Sequence, residues 1–287
     1  DKTMDEITNA VTVTPEVPQN STMPLDNINQ GTVAIEASRA IAEAQGKLVI
    51  AKRFPRNEIQ AFANMKKACQ RTGLANKAFY SYPRGGETVS GPTIRLAEEL
   101  ARCWGNIDFG IKELSQDNGK SEMQAYAWDL ETNTMSVQNF TNPHAKEVKG
   151  KIKTLTSLRD IYENNANMAG RRLRARILAV LPADFVEEAV AECRKTLAGK
   201  NNIPLTDRVR KMVVEFEKLG VTQDMIEKRL GRGLDTMTAE DLTDYIGIFN
   251  SLKDKNTKVS EWFEYEKIST DISAEIDQLQ TEKEQVL

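Results

Sequence analysis

The chain has 287 residues, 40% of them apolar and 28% charged, with a formal net charge of -3. That length holds one large domain or two ordinary ones with a real core, and no apolar run approaches the ~18 residues of a membrane span. The single histidine, three widely spaced cysteines and absence of C-x-x-C or H-E-x-x-H spacing argue against a disulfide framework and a Cys/His zinc site, and fit a reducing cytoplasm.

Residues 1–30 are rich in Thr, Asn, Pro and carboxylates and lack periodicity, which predicts a disordered acidic tail. An Ala-rich helix is predicted from Thr32 to Arg53, stopped by Pro55. Asn57 then caps a second helix, with Glu58 in its first turn and Gly73 beyond its end. Gly85-Gly86 marks a loop, and Gly91-Pro92 predicts the start of a helix whose face is Thr93, Ala97, Leu100, Ala101 and Trp104, closed by Gly105. The period then changes to two. Ile107, Phe109 and Ile111 alternate with polar residues, Asp117-Asn118-Gly119 is a hairpin signal, and residues 122–131 and 135–141 read as two further strands.

Residues 143–156 form a basic link, read as a mobile loop. Ser157 and Asp160 have capping-box spacing before a long helix over Leu158–Leu181. Its predicted buried stripe includes Leu158, Ile161, Tyr162, Ala169, Leu173 and Ile177. Pro182 breaks it and another helix follows. After a linker, Thr206, Thr222 and Thr238 each precede a helical run, with Gly220 and Gly231 closing two of them, so a three-helix module is expected. The fold class is therefore α+β: an antiparallel β meander packed with helices, one of them long and basic, plus a small C-terminal helical module. The expected domains are an acidic tail (1–30), an α+β core (31–200) that carries the basic helix, the helical module (201–265) and an acidic tail helix (266–287).

Charge is sorted along this plan. Residues 141–180 hold nine cationic side chains against Glu147, Asp160 and Glu163, an excess of six in an acidic protein. Arg171, Arg172, Arg174 and Arg176 lie inside the long helix, and Lys149, Lys151, Lys153 and Arg159 precede them. Guanidiniums on a rigid helix can neutralise successive phosphates with planar forks of donors. The competing reading pairs them with Glu187, Glu188 or Glu192. Tyr80 and Tyr82, in a loop with Arg84, are candidate stacking platforms, as are Tyr126 and Trp128, with core packing the simpler reading for Trp128. The stretch 85–93 lacks a P-loop ending, so ATP binding is not supported and no cofactor is implied. Asp108, Glu122 and Gln124 are the one carboxylate set a metal nuclease could use, and His144 is the only histidine a nucleophile could pair with. No catalytic residue is assigned, and the chain is read as not an enzyme.

Met168-Ala169-Gly170-Arg171-Arg172-Leu173, followed by Leu181-Pro182, resembles the basic helix of phage single-strand annealing recombinases of the RecT and Red-beta type. The chain carries Gly170-Arg171-Arg172 where Lys-Lys-Thr is common in that family. The stretch 217–242 and the Trp262-Phe263-Glu264 that follows resemble helical modules appended to phage recombination proteins. The resemblance implies ATP-independent single-stranded DNA binding and annealing in a bacterial host's cytoplasm, by rings or filaments of identical subunits. It makes the four arginines a phosphate clamp, closed by Lys149, Lys151 and Lys153, and the C-terminal module a docking point for a single-strand-binding protein or an exonuclease. A metal-dependent nuclease and a protein–protein adaptor with an internally paired arginine cluster are the alternatives.

Overall fold

The computed structural model describes residues 30–85, 87–117, 119–148, 151–199 and 203–264. The acidic tail expected over 1–30, the tail helix expected over 266–287, Gly86, Asn118 and Lys149 lie outside them, apart from Gln30 at the start of the first helix. The chain divides into two compact units, residues 1–47 and 48–287. In the first, the helix α1 (Gln30–Arg53, continuing into the second unit) exposes Val33, Ile35 and Ile41, and carries the ion pairs Glu36–Arg39 and Glu43–Lys47.

The second unit is mixed α+β. Helix α2 (Glu58–Cys69) starts at Asn57, whose side chain accepts from the Gln60 N–H. It ends earlier than Gly73, which sits instead in a short helix, α3 (Thr72–Ala75). Strands β1 (Phe79–Arg84) and β2 (Glu87–Pro92) then form an antiparallel hairpin where a loop and a helix start were expected. Pro92 is the last residue of β2, and Thr93 caps α4 (Ile94–Trp104) by accepting from the Leu96 N–H. The helix N-terminus is thus three residues beyond Gly91. Alternation of Tyr80 and Tyr82 with smaller residues is the period-two signal that the glycines obscured. Gly105, at φ 82°, closes α4 in a backbone conformation open to glycine.

The predicted meander is present as β3 (Ile107–Asp117), β4 (Lys120–Asp129) and β5 (Thr134–Pro143), paired antiparallel in that order. Along β4, Ser121, Met123, Ala125, Ala127 and Asp129 are buried, while Glu122, Gln124, Tyr126 and Trp128 are half-exposed. Trp128 is therefore on the open face of the sheet, not in the core, and its Nε1 donates to Asn133 Oδ1 at 3.0 Å. The link read as a mobile loop is a second hairpin, β6 (Ala145–Val148) paired with β7 (Lys151–Thr154).

Helix α5 (Leu158–Val180) lies across the buried face of the meander through Ile161, Asn165, Ala169, Leu173 and Ile177. Leu158 and Tyr162, expected in that stripe, are 77% and 72% exposed. Ser157 precedes the helix but makes no side-chain cap, so the spacing with Asp160 yields no capping box. Helix α6 (Ala183–Gly199) completes a first core with α2, α4 and the sheet. Three helices follow: α7 (Leu205–Glu217), α8 (Gln223–Leu230) and α9 (Ala239–Lys253). At α9 the capping box is real, with Thr238 and Asp241 bonding each other's backbone N–H groups. These helices bury a second core around Phe216 and Tyr245, joined by Trp262 and Phe263. Helix α9 also fastens to β1. Ser251 Oγ accepts from the buried Ser81 N–H at 2.9 Å, and Asn250 Nδ2 donates to the Asn76 and Phe79 carbonyls.

Candidate nucleic-acid interface

The α5 arginines leave the buried stripe in two directions. A residue turns ~100° from its neighbour on a helix, so side chains on either side of Leu173 point to opposite flanks. Arg172 and Arg176 follow one flank. The Arg172 guanidinium lies 4.2 Å over the Phe140 ring of β5, and its Nη1 donates to the Met168 carbonyl at 3.0 Å. The Nε atoms of Arg172 and Arg176 are both buried with no hydrogen-bond partner among the described residues. Arg171 and Arg174 take the other flank, toward β1. Arg174 lies 4.2 Å over the Tyr80 ring, and Arg171 Nη2 donates to Asn256 Oδ1 at 2.6 Å.

None of the four makes an ion pair among the described residues. The carboxylates proposed as their internal counter-charges are engaged elsewhere or apart: Glu188 bridges Lys66 at 2.6 Å, Glu192 lies 3.6 Å from Lys195, and Glu187 makes no ion pair with them among the described residues. The four thus fall into two pairs on opposite flanks of α5, of which Arg171 and Arg174 line a cleft.

That cleft, of about 150 Å³, lies between β1, the start of α4, α5 and the turn after α9. Tyr80 and Tyr82 share one face of β1 with rings stacked at 5.9 Å and 8°. Tyr80 is opposite Gly91 in the ladder, and a Cβ there would meet the Tyr80 hydroxyl at 2.7 Å. Gly91 is therefore the residue that lets the ring lie across the strand, a role the sequence reading missed by assigning it to a helix start. Three further lining residues were also missed. Arg95 enters the cleft already neutralised by Asp254, through bonds of 2.8 and 3.2 Å that hold its pKa above the ordinary value. Asn167 and Asn256 add amides. Only contact between elements far apart in sequence assembles these residues, so no local signal marks them.

The other predicted site residues divide. Lys151 and Lys153 are exposed on one face of β7, and Lys146 stands opposite Lys153 across the ladder. Like charges directly opposite repel, and an anion relieves that repulsion. Glu147 lies on the other face, 3.9 Å from Lys258. Arg159 is exposed but paired with Glu163 at 3.0 Å. Arg84 is exposed at the tip of the β1–β2 hairpin, opposite Glu87, at the far end of the strand from Tyr80. Tyr126 lies over Gly110 on the open face of the sheet, with Lys112 at 5.1 Å, on the opposite side from α5.

The remaining candidates lie on or beside the sheet. His144 is buried rather than in a basic loop, its Nε2 2.9 Å from Ser121 Oγ. The same Ser121 Oγ accepts from Asn165 Nδ2 at 2.8 Å, and Asn165 accepts from Asn142 at 2.7 Å. This buried network ties α5 to the sheet and to the base of the second hairpin. Asp108 is opposite Trp128, six residues along β4 from Glu122, or about 20 Å at the usual strand rise. Glu122 is held by Lys120 and Thr141, whose hydrogen bonds lower its pKa, and Gln124 by Asn139. Those three residues do not converge, and among the described residues no group of three His, Cys, Asp or Glu could hold a metal ion.

The three cysteines are free and buried. Cys69 is pushed up by a hydrogen bond with Cys193 and then by burial, and burial pushes Cys103 up to about 11, both away from thiolate character. Among the described residues no helix is long and apolar enough to cross a membrane. No protein-family model matches the chain, and comparisons with curated proteins and with solved structures return no match.

Proposed function

We propose that the chain binds single-stranded DNA and anneals complementary strands without ATP, as a homo-oligomeric recombination protein of phage type in the cytoplasm of a bacterial host. One observation carries this reading: four arginines on a single helix of an acidic chain hold no carboxylate among the described residues. A cation left without counter-charge on a rigid support is available to phosphate, and counterion release then supplies sequence-independent affinity. Arg171 and Arg174 take phosphates at the cleft, and Tyr80 and Tyr82 supply a stacking surface beside them. The lysine face of the second hairpin adds charge to the same strand's path. Exposed Val33, Ile35 and Ile41 on α1 supply apolar surface for subunit association. The C-terminal helices recruit a single-strand-binding protein or an exonuclease.

The test mixes complementary oligonucleotides with the protein, with and without ATP, and images the same mixtures by electron microscopy. The reading expects duplex formation accelerated equally in both, on rings or filaments. Annealing no faster than in buffer would remove it.

A further inference from the structure

Away from the arginine cleft, a pocket of about 390 Å³ opens between α3, α7 and α9. Its floor is apolar, with Met212, Ile246 and Phe249. Its rim is cationic: Lys77, Arg208, Lys211 and Lys253 surround it against one carboxylate, Glu215, which is already bridged by Lys218. The three lysines are exposed and make no ion pair among the described residues. Arg208 is half-buried, and its one hydrogen bond goes to the Leu197 carbonyl. Burial lowers its pKa, as expected of a guanidinium short of counter-charge. A pocket with an apolar floor and four unneutralised cations fits a segment that is both acidic and periodically apolar.

The chain contains such a segment. Residues 265–287 carry Glu266, Asp271, Glu275, Asp277, Glu282 and Glu284 against Lys267 and Lys283, an excess of four negative charges. Ile268, Ile272, Ile276 and Leu279 recur at helical spacing within it. Its attachment point is close. Phe263 packs against Phe216 with ring centroids 5.7 Å apart, and Phe216 is one turn along α7 from Met212 in the pocket floor. Twenty-three residues span ~35 Å even as a helix. We infer that the acidic segment 265–287 docks into the α3–α7–α9 pocket of its own chain, its isoleucines on the floor and its carboxylates on Lys211, Lys253 and their neighbours. Lys253 directly precedes Asp254, which holds Arg95 in the arginine cleft, so the docked segment lies on the other side of the same helix end. The inference does not depend on annealing activity.

Zero-length carbodiimide cross-linking of the full chain, in a mixture of isotope-labelled and unlabelled protein, tests it. The expected result is within-chain links from Lys211 or Lys253 to carboxylates between Glu266 and Glu284. Links confined to other lysines, or found only between chains, would overturn it. A fluorescent peptide of residues 265–287 gives an independent reading. It is expected to bind a variant with Asp271→Asn, Glu275→Gln and Asp277→Asn at least ~10-fold more tightly than the unaltered chain, whose pocket is filled. Adding Lys211→Glu and Lys253→Glu, both exposed, should abolish that binding. Equal binding to all three proteins, or binding to none, contradicts the inference.

Discussion

Arg56 and the α5 arginines are the same residue type put to opposite uses. Arg56, in the link that precedes α2, has a buried side chain, its two terminal nitrogens forked onto Asp129, its Nε 3.0 Å from Glu131 and its guanidinium 4.9 Å over Trp104. All three guanidinium nitrogens donate to carboxylates from within the protein. Arg171 and Arg174 rest on an amide and a tyrosine ring, with no carboxylate. What separates a structural cation from one left for a ligand is therefore the counter-charge that the fold delivers to it, and sequence shows only the cation.

The largest effect should come from breaking the paired site. Arg56→Ala leaves Asp129 and Glu131 as uncompensated carboxylates, and chemical denaturation should show a loss of about 3–5 kcal/mol. Acid should act on the same site with a defined sign. Burial raises the Glu131 pKa, but the bonds from Asn106 and Arg56 outweigh it and hold the group below its ordinary 4.5. A carboxyl lowered in the folded state adds stability above its unfolded value and loses it as pH falls through the folded one. Thermal melts should thus weaken below about pH 4.5, and Glu131→Gln should reduce that dependence. Arg172→Ala sharpens the comparison from the other side: it removes the stack on Phe140 and should cost about 0.5–1 kcal/mol. Arg171→Ala should change stability by less than about 0.5 kcal/mol, because nothing in the fold depends on its charge.

Periodicity made much of this fold legible. The meander, the long helix with its core of Ile161, Ala169, Leu173 and Ile177, and the three C-terminal helices with the Thr238 cap all follow from spacing that repeats locally. The two missed hairpins fail for one reason. Gly85-Gly86 and the basic link 143–156 both read as loops, although short strands on either side of such residues pair as readily as they wander. Leu158 and Tyr162 flank the buried line of Ile161, Asn165 and Ala169, turned ~60–100° from Ile161 to the same side of α5, so helical period places them in a stripe wider than the one the fold buries. In the cleft, Arg171, Arg174, Tyr80 and Tyr82 were identifiable as residue types. Their convergence, the need for Gly91 under Tyr80, and the Arg95–Asp254 pair depend on contacts between β1, α4, α5 and the turn after α9.

The most direct measurement is the salt dependence of single-stranded oligonucleotide binding by the unaltered chain and by Arg171→Ala/Arg174→Ala. The account predicts weaker binding for the double variant on every sequence tested, with a log–log salt slope shallower by about 1.4, the loss of two phosphate contacts at ~0.7 each. Equal affinity and equal slope for the two proteins would contradict it.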